Sequence, residues 1–148
     1  MKTVKIILIL CIYFINTNVQ ALDDVCVNEK TYRSIDAALK HADQVVKLDL
    51  AMQDPKLTSI PKAVAKFPNL RCLDVSFNRI SRIPNEILAC KKLQTLNLTG
   101  NRYLIKMPII LKKLISLKTV YVKGIPEWSQ TKRKEAINML PNVKVILD

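Results

Sequence analysis

Histidine, glycine and tryptophan are scarce in this chain, and their scarcity excludes several kinds of chemistry. Of 148 residues, one is histidine, two are glycine and one is tryptophan. The single histidine, His41, is expected on the surface of a short helix. A nucleophilic pair of Cys72 with His41 would need a proximity the spacing does not supply, and no oxyanion donor accompanies it. No phosphate-binding glycine loop is present. The four cysteines match neither the C-x-x-C pattern nor zinc-ligand spacing. No carboxylate cluster of metal-binding type occurs. Catalytic residues, metal ligands, cofactors and a small-molecule substrate are therefore not expected, and the chain reads as a non-enzyme.

Long apolar runs are also missing. Lys2 and Lys5 precede an almost unbroken apolar stretch from Ile6 to Ile15, which is too short to be a good membrane span. A polar stretch from Asn16 to Ala21 follows and closes on Val19-Gln20-Ala21. Small residues at −3 and −1 suit a signal peptidase, so residues 1–21 are read as a signal peptide cleaved after Ala21. Such a leader sends the chain to a periplasm, a cell surface or the medium. An uncleaved anchor or buried helix is the competing reading. Leu8-Ile9-Leu10-Cys11 faintly resembles a lipoprotein signal, but Leu10 is too large for that cleavage and the apolar run continues past Cys11.

Acid is in short supply too. Removing Lys2 and Lys5 leaves 22 bases against 12 acids. Residues 22–50 hold six acids and four bases, whereas residues 91–134 hold eleven bases and one acid, Glu127. This asymmetry points either to a solvated basic surface or to a polyanion-binding face. The bases are scattered rather than clustered with aromatics, which favours the solvated surface. After cleavage Cys26, Cys72 and Cys90 remain. An odd count leaves one bridge and a thiol, or three thiols.

What the chain has in abundance is a repeat. LRCLDVSFNRISRIP, residues 70–84, places Leu70, Leu73, Val75, Asn78 and Ile80 at offsets 0, 3, 5, 8 and 10. LQTLNLTGNRYLIKMP at 93–108 repeats the offsets through Asn101, with one extra residue, Tyr103. VVKLDLAMQDPKLTSIP at 45–61 carries Gln53 in place of Asn and a two-residue insertion before Leu57. LKTVYVKGIP at 117–126 lacks the Asn, and VKVILD opens a fifth copy at 143. The starts at 45, 70, 93, 117 and 143 lie 25, 23, 24 and 26 apart. A period of this length with L-x-x-L-x-L-x-x-N-x-L is a leucine-rich repeat signature.

On these motifs residues 45–148 resemble leucine-rich repeat proteins of the roughly 23-residue class, in which Ile-Pro or Leu-Pro follows each strand. Ile60-Pro61, Ile83-Pro84 and Met107-Pro108 carry that feature. The lead-in TYRSIDAALKHADQVVKLDL at 31–50 is similar to the start of secreted bacterial members. The resemblance implies an α/β fold: a right-handed solenoid shaped as a short horseshoe, with about five parallel strands. A capping segment with a helix at 22–44 precedes the repeats of 45–148, and a C-terminal helix comes before the last strand.

The repeat has a physical reading. Leu70, Leu73 and Val75 point inward from a short strand, and a return segment adds two apolar contacts per unit. Those contacts are Val64 and Phe67, Ile87 and Cys90, Leu111 and Leu114, then Ile137 and Leu140. No unit buries its face alone, so units stack. Asn78 and Asn101 are expected to pair turn backbone groups that would otherwise be buried unpaired, with Gln53 as an approximation. Pro61, Pro84 and Pro108 end each strand. Cys90 reads as a buried thiol in an apolar position. A Cys26–Cys72 bridge would require the N-terminal segment to cross the inner face, and unbridged thiols are preferred. Ser34 should cap a helix to about His41 that buries Ile35, Ala38 and Leu39. Thr131 to Leu140 should form a helix with Lys132, Arg133 and Lys134 outward and Ala136, Ile137 and Leu140 inward. Trp128 is expected to pin its loop to the core.

Outward strand residues line the concave face, where solenoids usually bind. The expected columns are Lys47, Cys72, Thr95, Lys118-Thr119 and Val145, then Asp49, Asp74, Asn97, Tyr121 and Leu147. Beyond them lie Lys123, Met52 and Phe77, and Phe77 and Tyr121 are the natural anchors. Asn97-Leu98-Thr99 meets the N-glycosylation rule. The function expected is a protein-binding module that meets a protein partner on Lys47, Asp49, Met52, Cys72, Asp74, Phe77, Thr95, Asn97, Thr119, Tyr121 and Lys123. The alternative is polyanion binding (nucleic acid, glycan or anionic membrane) by Lys91, Lys92, Lys112, Lys113, Lys132, Arg133 and Lys134 on the convex side. A purely structural spacer is a third reading. The last strand has no evident cover, and an unpaired edge invites self-association.

Overall fold

The structure, a computed structural model, describes residues 25–148. The expected signal peptide and its cleavage site lie outside the described residues. Six short strands form one parallel sheet in chain order: β1 (Thr31–Tyr32), β2 (Lys47–Asp49), β3 (Cys72–Asp74), β4 (Thr95–Asn97), β5 (Thr119–Tyr121) and β6 (Lys144–Ile146). Each coil runs from its strand through a turn and back by a return segment, and the coils stack as a leucine-rich repeat solenoid.

The central residue of each strand faces the interior. Tyr32, Leu48, Leu73, Leu96, Val120 and Val145 are in register across the sheet. All except Val145, on the last strand, are buried. The first residue of the motif and its second strand-flanking position complete the row, as with Leu70 and Val75 or Leu93 and Leu98, all fully buried. A fully buried side chain of this size contributes about 1.5–3 kcal/mol, so stacking is the main source of stability.

Three return segments are 3₁₀ helices, Lys62–Lys66, Asn85–Ala89 and Ile109–Lys113. Pro61, Pro84 and Pro108 open them, and the carbonyls of these prolines accept from the N–H groups of Val64, Ile87 and Leu111 at 3.1, 3.3 and 3.1 Å. Their role is thus to start the return segment as well as to end the strand. Three residues per turn bring every third side chain inward. Val64 with Phe67, Ile87 with Cys90, and Leu111 with Leu114 are buried accordingly.

Asn78 performs the task its chemistry predicts. Its Nδ2 donates to the carbonyls of Leu50, Val75 and Ser76 at 2.8–3.1 Å, and its Oδ1 accepts from the Leu57 N–H at 3.1 Å. Asn101 repeats the pattern on Val75, Leu98 and Thr99, with its Oδ1 on the Ile80 N–H at 2.9 Å. Gln53 departs from it: its Nε2 donates to the Ala51 carbonyl at 3.4 Å.

The N-terminal cap supplies a strand that the repeat pattern does not reveal. β1 is two residues long, carries no leucine motif, and uses Tyr32 as its inward residue beside Leu48. Next comes α1 (Ile35–Leu39), with the Ser34 hydroxyl accepting from the Ala37 N–H at 3.1 Å. It ends before His41, and Leu39 is exposed while Ala38 is buried and Ile35 packs on the core.

At the other end α2 (Gln130–Met139) is capped by Ser129. Its orientation differs from expectation in two residues. Ile137 is exposed, and Arg133 turns inward, its Nε donating to the Trp128 carbonyl at 3.2 Å and its Nη2 pairing with Asp148 at 3.5 Å. Packing against the last coil decides this: Ala136 and Leu140, four apart, bury together there, and Ile137 is left in solvent. Trp128 is buried and donates from Nε1 to the Leu104 carbonyl, pinning the loop.

Candidate functional site

The outward residues of the strands form two columns across the sheet. One runs Lys47, Cys72, Thr95, Thr119 and Lys144; the other runs Asp49, Asp74, Asn97, Tyr121 and Ile146. The last member of each differs from the expected Val145 and Leu147. The reason is a one-residue shortening. Leu117 and Val143 each donate to a return-segment carbonyl, but two N–H groups, those of Lys118 and Thr119, reach Gln94 O, whereas Lys144 alone reaches Lys118 O.

The columns are tied up at the N-terminal end. Cys26 and Cys72 form a disulfide with a Cα–Cα distance of 6.4 Å, so the unbridged reading is corrected. The residues before β1 do cross the inner face: Cys26 is buried there, and its carbonyl accepts from Lys47 Nζ at 3.2 Å. Spacing could not reveal this, because the bridge joins residues 46 apart. Cys72 is consequently bonded within the chain. A hollow of about 330 Å³ remains between this turn and the strands, lined by Cys26, Lys47, Asp49, Asp74, Asn97 and Tyr121 among others.

The acidic pair in that hollow is organised by its own turns. Asp49 Oδ1 accepts from the Ala51 N–H at 3.1 Å and Oδ2 pairs with Arg33 at 3.7 Å. Asp74 Oδ1 accepts from the Ser76 N–H at 2.8 Å and Oδ2 from Asn97 Nδ2, also at 2.8 Å. Asn97 Oδ1 in turn accepts from the Thr99 N–H. Its amide is engaged on both atoms, so the glycosylation motif is presented on a strand whose acceptor nitrogen is already bonded. Among the described residues no group of three or more His, Cys, Asp or Glu is placed to hold a metal ion.

Of the remaining candidates, Thr119 is buried, Thr95 and Tyr121 are half-buried, and Lys123 is exposed. Met52 and Phe77 stand at the rim, 67% and 54% exposed. Both have φ of 53°, the left-handed region. The equivalent position three residues past the strand is Gly100 (φ 71°) and Gly124 (φ 64°) in the next two coils. The N–H groups of Met52, Phe77 and Gly100 each donate to the neighbouring coil at Ser76, Thr99 and Lys123. The Gly124 N–H ends the ladder on the Asp148 carboxylate at 2.9 Å. A bulky side chain in this backbone region costs about 1–3 kcal/mol.

The basic candidates occupy the opposite side. Lys91, Lys92, Lys112 and Lys113 are exposed around the return segments, and Lys132 and Lys134 are exposed on α2. Lys92 Nζ donates to Asn69 Oδ1 at 2.6 Å. Arg133 leaves the group because it is turned into the end of the solenoid. Cys90 is buried, donates to the Val64 carbonyl at 3.3 Å, and is pushed up to about 11 by burial, an inert thiol in an apolar position.

A family model described as Leucine Rich repeats (2 copies) matches residues 68–111. No curated protein matches. Among solved structures, the chain is similar to a leucine-rich repeat protein of Leptospira interrogans. The identity is 25% and the TM-score 0.61, over 79% of this chain and 28% of that one. This chain therefore spans little more than a quarter of that protein's length.

Proposed function

Because the chain is a leucine-rich repeat protein, we propose that it is an exported, non-enzymatic module that recognises a protein partner across its concave sheet and C-terminal rim. One observation carries the reading. Met52 and Phe77 keep large apolar side chains in solvent at a left-handed backbone position that the next two coils fill with glycine. Exposed aromatic side chains held in a fixed place are what binding hot spots are made of. Tyr121 faces the same side from β5. The disulfide supports export, since such bonds persist in oxidising compartments, and the leader-like sequence of residues 1–21 agrees with it. The destination is a periplasm, a cell surface or the medium.

The test is a pull-down with residues 22–148 from native extracts, eluted in steps of rising salt. A protein retained at high salt and lost with Phe77→Ala plus Tyr121→Ala is the expected result. Retention that survives both substitutions would overturn concave recognition.

A second reading concerns self-association. The outer edge of β6 pairs with no further strand among the described residues, and Val145, Leu147 and the exposed Ile137 lie beside it. Light scattering should then show a mass that rises with concentration. A strictly monomeric mass at high concentration rules it out.

A further inference from the structure

The return segment of the unit that begins at Leu93 breaks the polarity rule of its neighbours. Its 3₁₀ spacing sends Leu111, Leu114 and Leu117 into the core. Ile109, Lys112 and Ile115 follow the same spacing one row away, on the convex surface. Ile109 is 71% exposed and Ile115 88%. Ile105, four residues before Ile109, is 65% exposed. The solenoid does not need aliphatic side chains there. The position after the opening proline is Lys62, Asn85 and then Ile109; the position after the inward Phe67, Cys90 and Leu114 is Pro68, Lys91 and then Ile115. Ile115 also stands at the lip of a groove of about 360 Å³ between this segment and the end of α2, lined by Leu114, Leu117, Met139 and Leu140 among others.

Along this segment the charge has one sign. From residue 102 to 116 there are four cations and no acid. Lys106, Lys112 and Lys113 are exposed between the isoleucines. We propose that this convex segment is an interfacial membrane-binding site, in which Ile105, Ile109 and Ile115 enter the headgroup–acyl boundary of an anionic bilayer while Lys106, Lys112 and Lys113 meet its phosphates. Aliphatic side chains interleaved with lysine are the composition that such a boundary rewards. A nucleic acid rewards the lysines but not the isoleucines, since its bases stack on aromatic faces and its phosphates take charge alone. Among the described residues no helix is long and apolar enough to cross a membrane. The concave face then points away from the lipid, free for a protein partner.

The experiment is vesicle co-flotation. It uses residues 22–148, which hold every strand of the described residues, the buried core and the disulfide but not the apolar leader. Vesicles are phosphatidylcholine with phosphatidylglycerol, or phosphatidylcholine alone. Binding to the anionic vesicles is expected to weaken at least tenfold on pure phosphatidylcholine. Ile109→Ser with Ile115→Ser should weaken it about a hundredfold, at about tenfold per aliphatic side chain. Lys112→Gln with Lys113→Gln should weaken it about twenty-five-fold, at about fivefold per lysine. All four positions are exposed, and unchanged thermal unfolding of each variant excludes misfolding as the cause. No binding to anionic vesicles overturns the proposal. So does vesicle binding that the two serines leave intact. Binding to single-stranded RNA in place of vesicles, sensitive to the lysine changes alone, replaces the bilayer with a polyanion.

Discussion

Asn78 and Asn101 donate to the same acceptor, the carbonyl oxygen of Val75, each at 3.0 Å. One oxygen thus joins the turn of its own coil to the turn of the next. Both amides are buried, so a side chain that cannot replace their bonds strands several polar backbone groups at once.

Replacing Asn101 with Leu should therefore destabilise the protein by about 3 kcal/mol, the cost of leaving buried groups such as the Ile80 N–H unpaired. The shared acceptor makes the two sites couple. In urea unfolding the Asn78→Leu and Asn101→Leu losses should fail to add by more than about 0.5 kcal/mol. Simple additivity would show the two turns to be independent.

Phe77 lies across Gly100: a Cβ built on Gly100 would meet Phe77 Cδ1 at 2.6 Å. Gly100→Ala is expected to cost about 1–2 kcal/mol for its positive φ, with a steric loss added. Phe77→Ala should relieve the steric part and leave the backbone part. A double-mutant cycle of thermal unfolding separates the two, and a coupling near zero would mean that the ring moves aside freely.

The disulfide closes a loop of 46 residues between Cys26 and β3. Chain-entropy reasoning gives such a loop about 4 kcal/mol. Cys26→Ser with Cys72→Ser should lower stability by that order and release the turn that covers Lys47. Hydrogen exchange should then quicken at residues 26–30 while the protection of Leu73 and Leu96 persists.

Cys90 makes stability depend on alkaline pH. Its folded pKa stands at about 11 against an ordinary 9.0. The folded state thus holds the proton longer than the unfolded state. Below pH 9.0 both states are protonated and the full stability is present; from there to about 11 the unfolded state ionises first and stability falls. A Cys90→Val variant should lack that part of the decline. Parallel curves for the two proteins over this range would remove Cys90 as the source.

The sequence by itself determined the coil. The spacing of Leu70, Leu73 and Val75, the amide at Asn78 and the proline before each return segment state which residues face inward and where the chain turns. All of these act within one repeat or between one repeat and the next. Ser34 as a cap, Trp128 as a pin and Cys90 as a buried thiol are legible for the same reason, since each follows from local pattern and side-chain chemistry. Only the tertiary structure decided what depends on distance. It places Thr31–Tyr32 beside β2, where a two-residue strand has no periodicity to announce it. It brings Cys26 across the inner face to Cys72, which closes part of the expected concave site. It turns Arg133 inward and Ile137 outward, because packing against the last coil sets the rotation of α2. The exposed Ile109 and Ile115 lie between these cases. Their phase against Leu111 and Leu114 was in the sequence, but apolar residues are assigned to a core until the packing shows that the core is already full.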